Sequence, residues 1–214
     1  MLIEEIMSRN VITLSEGNTI QEAIETLQRH RIRHLPIINH NEDIVGIVTE
    51  SDIRDASPSI FRAEEHKEDF QKPVTTIMQR EVITAHPLDF VAEAAWLMYE
   101  NHIGCIPITE NEKLVGILTE TDILHTLVEL MGVHQPSSQI NVRVENISGK
   151  LADVAAILKQ ERTNITSVLV YPDKDSAYKI LAFRVQTMDP RGLISKIEYE
   201  GYEVLAPKLP GMSL

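Results

Sequence analysis

The sequence predicts an α+β chain in two parts. One is a duplicated unit of small sheets and helices arranged as a pseudo-twofold pair, and the other is a C-terminal βαββαβ domain of the ferredoxin-like kind. Three observations predict it. Residues 32–38 run through a polar turn into Val45-Gly46-Ile47-Val48-Thr49 and Asp52, which reads as strand, turn, strand and a Thr-x-x-Asp at a helix start. The same series recurs at residues 103–109 and in Val115-Gly116-Ile117-Leu118-Thr119 and Asp122. Beyond a Pro- and Ser-containing stretch at residues 132–138 the pattern changes to strand, helix, two strands, helix, strand.

The duplication is read from fixed offsets. Ile6 and Ile77, Val11 and Val82, and Pro36 and Pro107 are each 71 residues apart. After the turn the offset becomes 70, as between Gly46 and Gly116 or Asp52 and Asp122, so one residue is lost in the turn. Self-similarity of this kind marks a repeated structural unit.

Each copy has the same parts in order. Residues 11–14 and 82–84 read as short lead-in strands. Ile20, Ala23, Ile24 and Leu27 form one apolar helix face, and Val91, Ala94, Ala95 and Met98 repeat it. Thr19-x-x-Glu22 has the capping-box pattern, and Asp89 is placed to cap the second helix. The strand pairs follow, and each copy closes with a helix from about Ser51 or Thr121. Neither copy buries both faces of so small a sheet alone, so the two are expected to pair. The connector from Arg54 to Pro73 carries a charged run at residues 62–69 and is expected to be partly helical and solvated. The expected division is residues 1–72 for the first copy with its connector, 73–132 for the second, 133–139 for a linker and 140–214 for the last domain.

In the last domain Ile140, Val142 and Val144 alternate as a strand, and Leu151, Val154, Ala155 and Leu158 form a helix face. Strands at 165–171 and 179–187 flank a hairpin turn. Asp189-Pro190 reads as an N-cap with Pro at the first helical position, Gly201 ends that helix, and residues 202–205 form a last strand.

Composition sets the outer limits. The 214 residues suffice for one large or two to three small domains, and 43% hydrophobic with 24% charged residues suits packed cores with a polar surface. No apolar run approaches the roughly 20 residues that span a bilayer, and the acidic N-terminus lacks a signal-peptide pattern. One cysteine, Cys105, excludes an internal disulfide and fits a reducing cytoplasm. A formal charge of −12 argues against direct nucleic-acid binding, which needs clustered cations.

The repeats resemble CBS motifs (the cystathionine β-synthase type) forming one Bateman pair, on the strength of Ile32-x-x-Leu35-Pro36-Ile37, Val45-Gly46-Ile47-Val48-Thr49-x-x-Asp52 and their second-copy equivalents. The C-terminal part resembles an ACT domain through Gly149-Lys150-Leu151 and Asn164-Ile165. The combination, with the stretches at residues 56–61, 85–90 and 167–172, resembles acetoin-utilization proteins. That implies a cytoplasmic regulator acting on a protein partner in acetoin and carbon catabolism.

The CBS resemblance implies an adenosine-containing ligand such as AMP, ATP, S-adenosylmethionine, NAD or a cyclic dinucleotide. Thr49 and Asp52, with Thr119 and Asp122, correspond to the residues that hold ribose and phosphate. The backbone of Val11 to Thr13 with Ile32, Arg33 and His34 before Pro36 corresponds to the adenine-reading surface, as does that of Val82 to Thr84 with Ile103 to Cys105 before Pro107. Physically, an Asp at a helix N-terminus accepts hydrogen bonds from vicinal hydroxyls, and backbone N–H groups there meet phosphate. The same Thr-x-x-Asp also serves as a plain N-cap.

The copies differ in charge. Arg29, His30, Arg31, Arg33 and His34 precede Pro36, whereas His102, Gly104 and Cys105 precede Pro107. Arginine suits phosphate, so the first copy is expected to gather phosphates, unless these cations only offset neighbouring acids. His30, His34 and His40 lack the convergence a structural zinc needs, so no metal is expected. Cys105 reads as a core residue. With no Gly-x-Ser-x-Gly, P-loop or catalytic carboxylate pair, no enzyme and no catalytic residue is expected. The ACT resemblance implies an effector loop at Asn146, Ile147, Gly149 and Lys150, and a sheet edge available for homo-oligomer formation, with a dimer expected. The rival readings are an interaction scaffold with empty CBS sites, effector sensing through the ACT domain alone, a small enzyme acting on acetoin or its products, and a transcription accessory factor that acts through a partner, no helix-turn-helix or basic stretch being present.

Overall fold

The computed structural model describes residues 1–56 and 68–207. The chain divides into two compact units, Met1–Leu124 and His125–Leu214.

In the first unit, the capping box predicted at Thr19 forms in both directions. Glu22 N donates to Thr19 Oγ1 at 3.2 Å, and Thr19 N donates to Glu22 Oε2 at 2.7 Å. It opens α1, Ile20–His30, which buries Ile20, Ala23 and Leu27. Strand β1, Leu14–Ser15, lies parallel to β2, His34–Ile38, and β2 pairs antiparallel with β3, Ile44–Thr49. Helix α2, Glu50–Ala56, follows directly. The second copy repeats this as α3, Val91–Asn101; β4, Cys105–Glu110; β5, Lys113–Thr119; and α4, Glu120–Leu130. Registers match between copies: Pro36 faces Ile47, and Pro107 faces Ile117. Both α1 and α3 end on a left-handed residue, Arg31 and His102, each with φ of 53°.

Several expectations are corrected. Residues 11–13 and 82–84 are not strands; β1 keeps only Leu14 and Ser15, and the second copy keeps only a single parallel bridge, Ala85 to Ile108. The strands before Pro begin at His34 and Cys105, not at residues 32 and 103, and the carbonyls of Arg33 and Gly104 just before them accept from Glu50 N and Glu120 N. Asp89 does not cap α3. Phe90 is the N-cap residue, without a side-chain bond, and Asp89 Oδ2 accepts from His86 N instead. A 3-10 turn occupies Asp69–Gln71; most of the predicted charged run falls in residues 57–67, outside the described residues.

The copies interlock by exchanging their leading segments. Ile3 and Met7 are buried with Ala94, Met98, Ile106, Ile108 and Leu118 of the second copy. Val74 and Met78 are buried with Ala23, Leu27, Leu35, Ile37 and Val48 of the first. The backbone follows the same exchange. Ser8 and Ile117 share two N–H to carbonyl bonds of 3.0 Å, and Gln79 and Ile47 share two of 2.9 Å. Glycine is required where these segments cross the strands. A Cβ on Gly46 would lie 2.6 Å from Met78 Sδ and 3.1 Å from the Gln79 carbonyl oxygen, and one on Gly116 would lie 2.6 Å from Met7 Sδ.

The second unit is a four-stranded antiparallel sheet in the order β7-β8-β6-β9, with two helices. Its elements are β6, Ser138–Glu145; α5, Lys150–Gln160; β7, Ile165–Pro172; β8, Tyr178–Val185; α6, Arg191–Tyr199; and β9, Glu203–Ala206. This is the split βαβ order. Ile140, Val142 and Val144 face the helices with Val154, Ile157, Leu158, Leu193, Ile194 and Ile197. The buried face of α5 is thus shifted from the predicted one, since Leu151 in its first turn stays 39% exposed. Strand β6 begins at Ser138, inside the expected linker. Pro190 is the N-cap residue of α6 rather than its first helical residue, and Asp189 Oδ1 accepts from Arg191 N and Nε at 3.2 and 2.8 Å.

Candidate functional site

The interlock of the first unit places two pockets between its copies. One, of about 330 Å³, is lined by Val11, Ile12, Ile32, Arg33 and His34 of the first copy and by Thr119, Thr121 and Asp122 of the second. The other, of about 460 Å³, inverts this, with Val82, Ile83, Ile103, Gly104 and Cys105 of the second copy facing Thr49, Ser51 and Asp52 of the first. Each pocket therefore combines the lead-in and pre-proline segments of one copy with the Thr-x-x-Asp of the other.

Most of the predicted residues come together in this way. Val11, Ile32, Arg33 and His34 meet Thr119 and Asp122. Val82, Ile103, Cys105 and Pro107 meet Thr49 and Asp52. Thr13, Pro36 and Thr84 line neither pocket; Pro36 is buried in β2 against Ile47. Ser8, Asn10, Gln79 and Glu81 line the pockets unforeseen. Their signal lay in the offset, since they follow Met7 and Met78 at equivalent positions.

The Thr-x-x-Asp pairs are near-copies. Thr49 Oγ1 and N donate to Asp52 Oδ2 at 2.6 and 2.8 Å, and Asp52 N donates to Thr49 Oγ1 at 3.2 Å. In the second copy the same three bonds measure 2.6, 2.8 and 3.3 Å. The capping reading and the binding reading are thus compatible: the cap engages one carboxylate oxygen and leaves Oδ1 outside it. Asp52 Oδ1 accepts from Gln79 Nε2 at 2.9 Å. Ser8 occupies the equivalent position beside Asp122, and among the described residues no hydrogen bond to Asp122 Oδ1 is formed.

His34 lines both pockets. A Cβ on Gly104 would stand 3.0 Å from its Nε2, so glycine gives the ring its place. Burial lowers the pKa of His34, as does neighbouring Arg33, while Glu120 and Asp52 pull it up. Cys105 is 5% exposed, and burial, aided by Glu120, pushes its thiol up to about 12. A thiol held protonated is a poor nucleophile.

The predicted effector loop lies between β6 and α5. Asn146 N donates to the Ala177 carbonyl at 2.8 Å, Lys179 Nζ donates to the Ile147 carbonyl at 3.4 Å, and Lys150 Nζ lies 3.7 Å from Glu145 Oε2. Gly149 adopts φ of 92°, a conformation that costs other residues strain. Ile147 is 54% exposed.

Among the described residues, no helix is long and apolar enough to cross a membrane. A CBS domain-containing protein of Dictyostelium discoideum is 28% identical over 143 residues, covering 64% of this chain and 99% of that protein. The inosine-5'-monophosphate dehydrogenase of Methanocaldococcus jannaschii is 33% identical over 122 residues, which are 56% of this chain but 22% of the enzyme. Among solved structures, a Vibrio cholerae protein assigned to acetoin utilization (AcuB) aligns with a TM-score of 0.55 at 28% identity, over 63% of this chain and 95% of that one. The CBS domain pair of protein MJ0100, solved with 5'-methylthioadenosine and S-adenosyl-L-methionine, aligns with a TM-score of 0.53 at 33% identity, over 60% and 97%. The CBS domain family itself matches residues 3–59 and 74–129, more than half of the sequence, and the chain belongs to that family.

Proposed function

We propose that this protein is a non-catalytic regulator that binds an adenosine-containing ligand, such as AMP, ATP or an adenosyl thio compound, between its CBS motifs. The observation that carries this reading is the doubled composite pocket. In each, a Thr-x-x-Asp at a helix start faces the segments before and after the lead-in helix of the other copy. The carboxylate oxygen that the cap leaves outside, open in Asp122 and shared with Gln79 in Asp52, suits ribose hydroxyls, and the apolar wall suits a purine. The MJ0100 pair, whose solved complex holds adenosyl compounds, supports the reading by similarity. A ligand that bridges the two copies shifts their arrangement only as far as its affinity differs between arrangements.

The site residues carried into this reading are Val11, Ile32, Arg33, His34, Thr119 and Asp122 for one pocket and Thr49, Asp52, Val82, Ile103, Cys105 and Pro107 for the other. The second unit acts as an ACT domain, supported by its split βαβ order. It pairs with a second chain to give a homodimer and offers the loop at Asn146 to Lys150 to a small effector. The likeness to the Vibrio cholerae protein supports a role in acetoin or carbon catabolism, and the reading places that role in the cytoplasm, toward a protein partner.

Calorimetric titration with an adenosine-ligand panel tests this, with wild type beside Asp52→Ala and Asp122→Ala. Saturable binding lost in one variant is expected. Absence of heat and of thermal shift at millimolar ligand with every member favours the scaffold reading with empty sites.

A further inference from the structure

The two pockets are built from equivalent segments but differ in charge. Three aligned positions make the difference. Arg31 stands where the other pocket has His102, Arg33 where it has Gly104, and Asn10 where it has Glu81. The residues lining the pocket of Asp122 thus include two arginines, Arg31 and Arg33, against one acidic residue. The pocket of Asp52 is lined by two carboxylates, Asp52 and Glu81, with no Arg or Lys. Among the described residues, no ion pair engages Arg31, Arg33 or Glu81.

Gly104 is closely packed against two side-chain ends. A Cβ there meets His34 Nε2 at 3.0 Å and Glu120 Oε2 at 3.3 Å. An arginine at this position would have to shift the ring of His34 and the carboxylate of Glu120. His34 walls both pockets, so it does not distinguish them. The Asp52 pocket is also the larger, at about 460 against about 330 Å³.

Resting on the adenosine reading above, we infer that the two pockets divide adenosine ligands by charge: the Arg31–Arg33 pocket takes an adenosine phosphate, and the Asp52–Glu81 pocket takes an adenosyl compound without phosphate, either neutral or cationic at the 5' substituent. A phosphate monoester carries about two negative charges near neutral pH. It gains charge-assisted hydrogen bonds from a guanidinium and is repelled by an acidic wall. A sulfonium has the opposite preference. The protein thereby reads two adenosine pools at once, one in each pocket.

The test is calorimetry on the full chain with AMP and with S-adenosylmethionine, each alone and each in the presence of the other. Both ligands are expected to bind together, one of each per chain. Arg31→Ala/Arg33→Ala and Asp122→Ala are expected to weaken AMP by about tenfold or more and to leave S-adenosylmethionine unchanged. Glu81→Gln and Asp52→Ala are expected to weaken S-adenosylmethionine and leave AMP unchanged. Glu81→Arg is expected to admit a second AMP per chain. Thermal unfolding of each variant separates a lost site from a lost fold. Mutual displacement of the two ligands, or AMP binding that is lost in Asp52→Ala and kept in Asp122→Ala, overturns the division while leaving the adenosine reading intact. Failure of the wild type to bind either ligand overturns both.

Discussion

Gln79 Nε2 donates to Asp52 Oδ1 at 2.9 Å, while at the equivalent place in the other pocket Ser8 stands beside Asp122. One of the two equivalent Oδ1 atoms is already engaged and the other is not. A ligand in the Asp52 pocket has to displace or share that amide. Such a bond is worth about 1 kcal/mol, so Gln79→Ser, which installs the residue of the other copy, is expected to tighten nucleoside binding there by about fivefold. Calorimetry on this variant with 5'-methylthioadenosine checks it; weaker binding would show that Gln79 is itself a ligand contact.

Gly46 and Gly116 lie where the exchanged segments cross the strands, with 2.6 Å between an added Cβ and a methionine sulfur in each case. Gly46→Ala and Gly116→Ala are each expected to destabilise the first unit by about 1–3 kcal/mol, the usual cost of overpacking. Denaturant unfolding measures it. In a double-mutant cycle, Gly46→Ala is expected to cost less in a Met78→Ala background than in the wild type, because the clash with the sulfur is then absent; an unchanged cost places it in the Gln79 carbonyl, 3.1 Å from the same Cβ.

Cys105 is buried and its thiol is pushed up to about 12. Iodoacetamide at pH 8 is expected to leave it unmodified in the native protein and to label it fully after denaturation, read by intact mass. Rapid native labelling would show that the pocket wall opens.

Burial, with Arg33, lowers the pKa of His34 from its ordinary 6.5, against the pull of Glu120 and Asp52. The folded state then binds this proton less readily than the unfolded chain. The stability contributed by neutral His34 is full above about pH 6.5 and is lost as pH falls toward the lowered folded value. The melting temperature of wild type is expected to fall more steeply from pH 7.5 to 5 than that of His34→Gln. Parallel curves would mean that the ring titrates as in solution.

Much was legible before any coordinates. The offset of 71 residues, the alternation in β6 and the Thr19–Glu22 capping box are local or periodic, and such signals survive in one dimension. The lead-in strands and the Asp89 cap were misread because their outcome depends on partners distant in the chain. Ile3 N donates to the Asp89 carbonyl, and Val82 and Ile83 line a pocket without a neighbouring strand.

The chain order alone determined that there are two copies, which residues are equivalent and which copy carries the arginines. It left open which copy each Thr-x-x-Asp faces, because a repeat looks identical whether its parts close on themselves or on their neighbours. Tertiary packing decided that. Ile3 and Met7 bury their side chains in the second core, Val74 and Met78 bury theirs in the first, and the polar residues that follow are carried across with them. The apolar surface removed from water at those four positions is what makes each pocket composite.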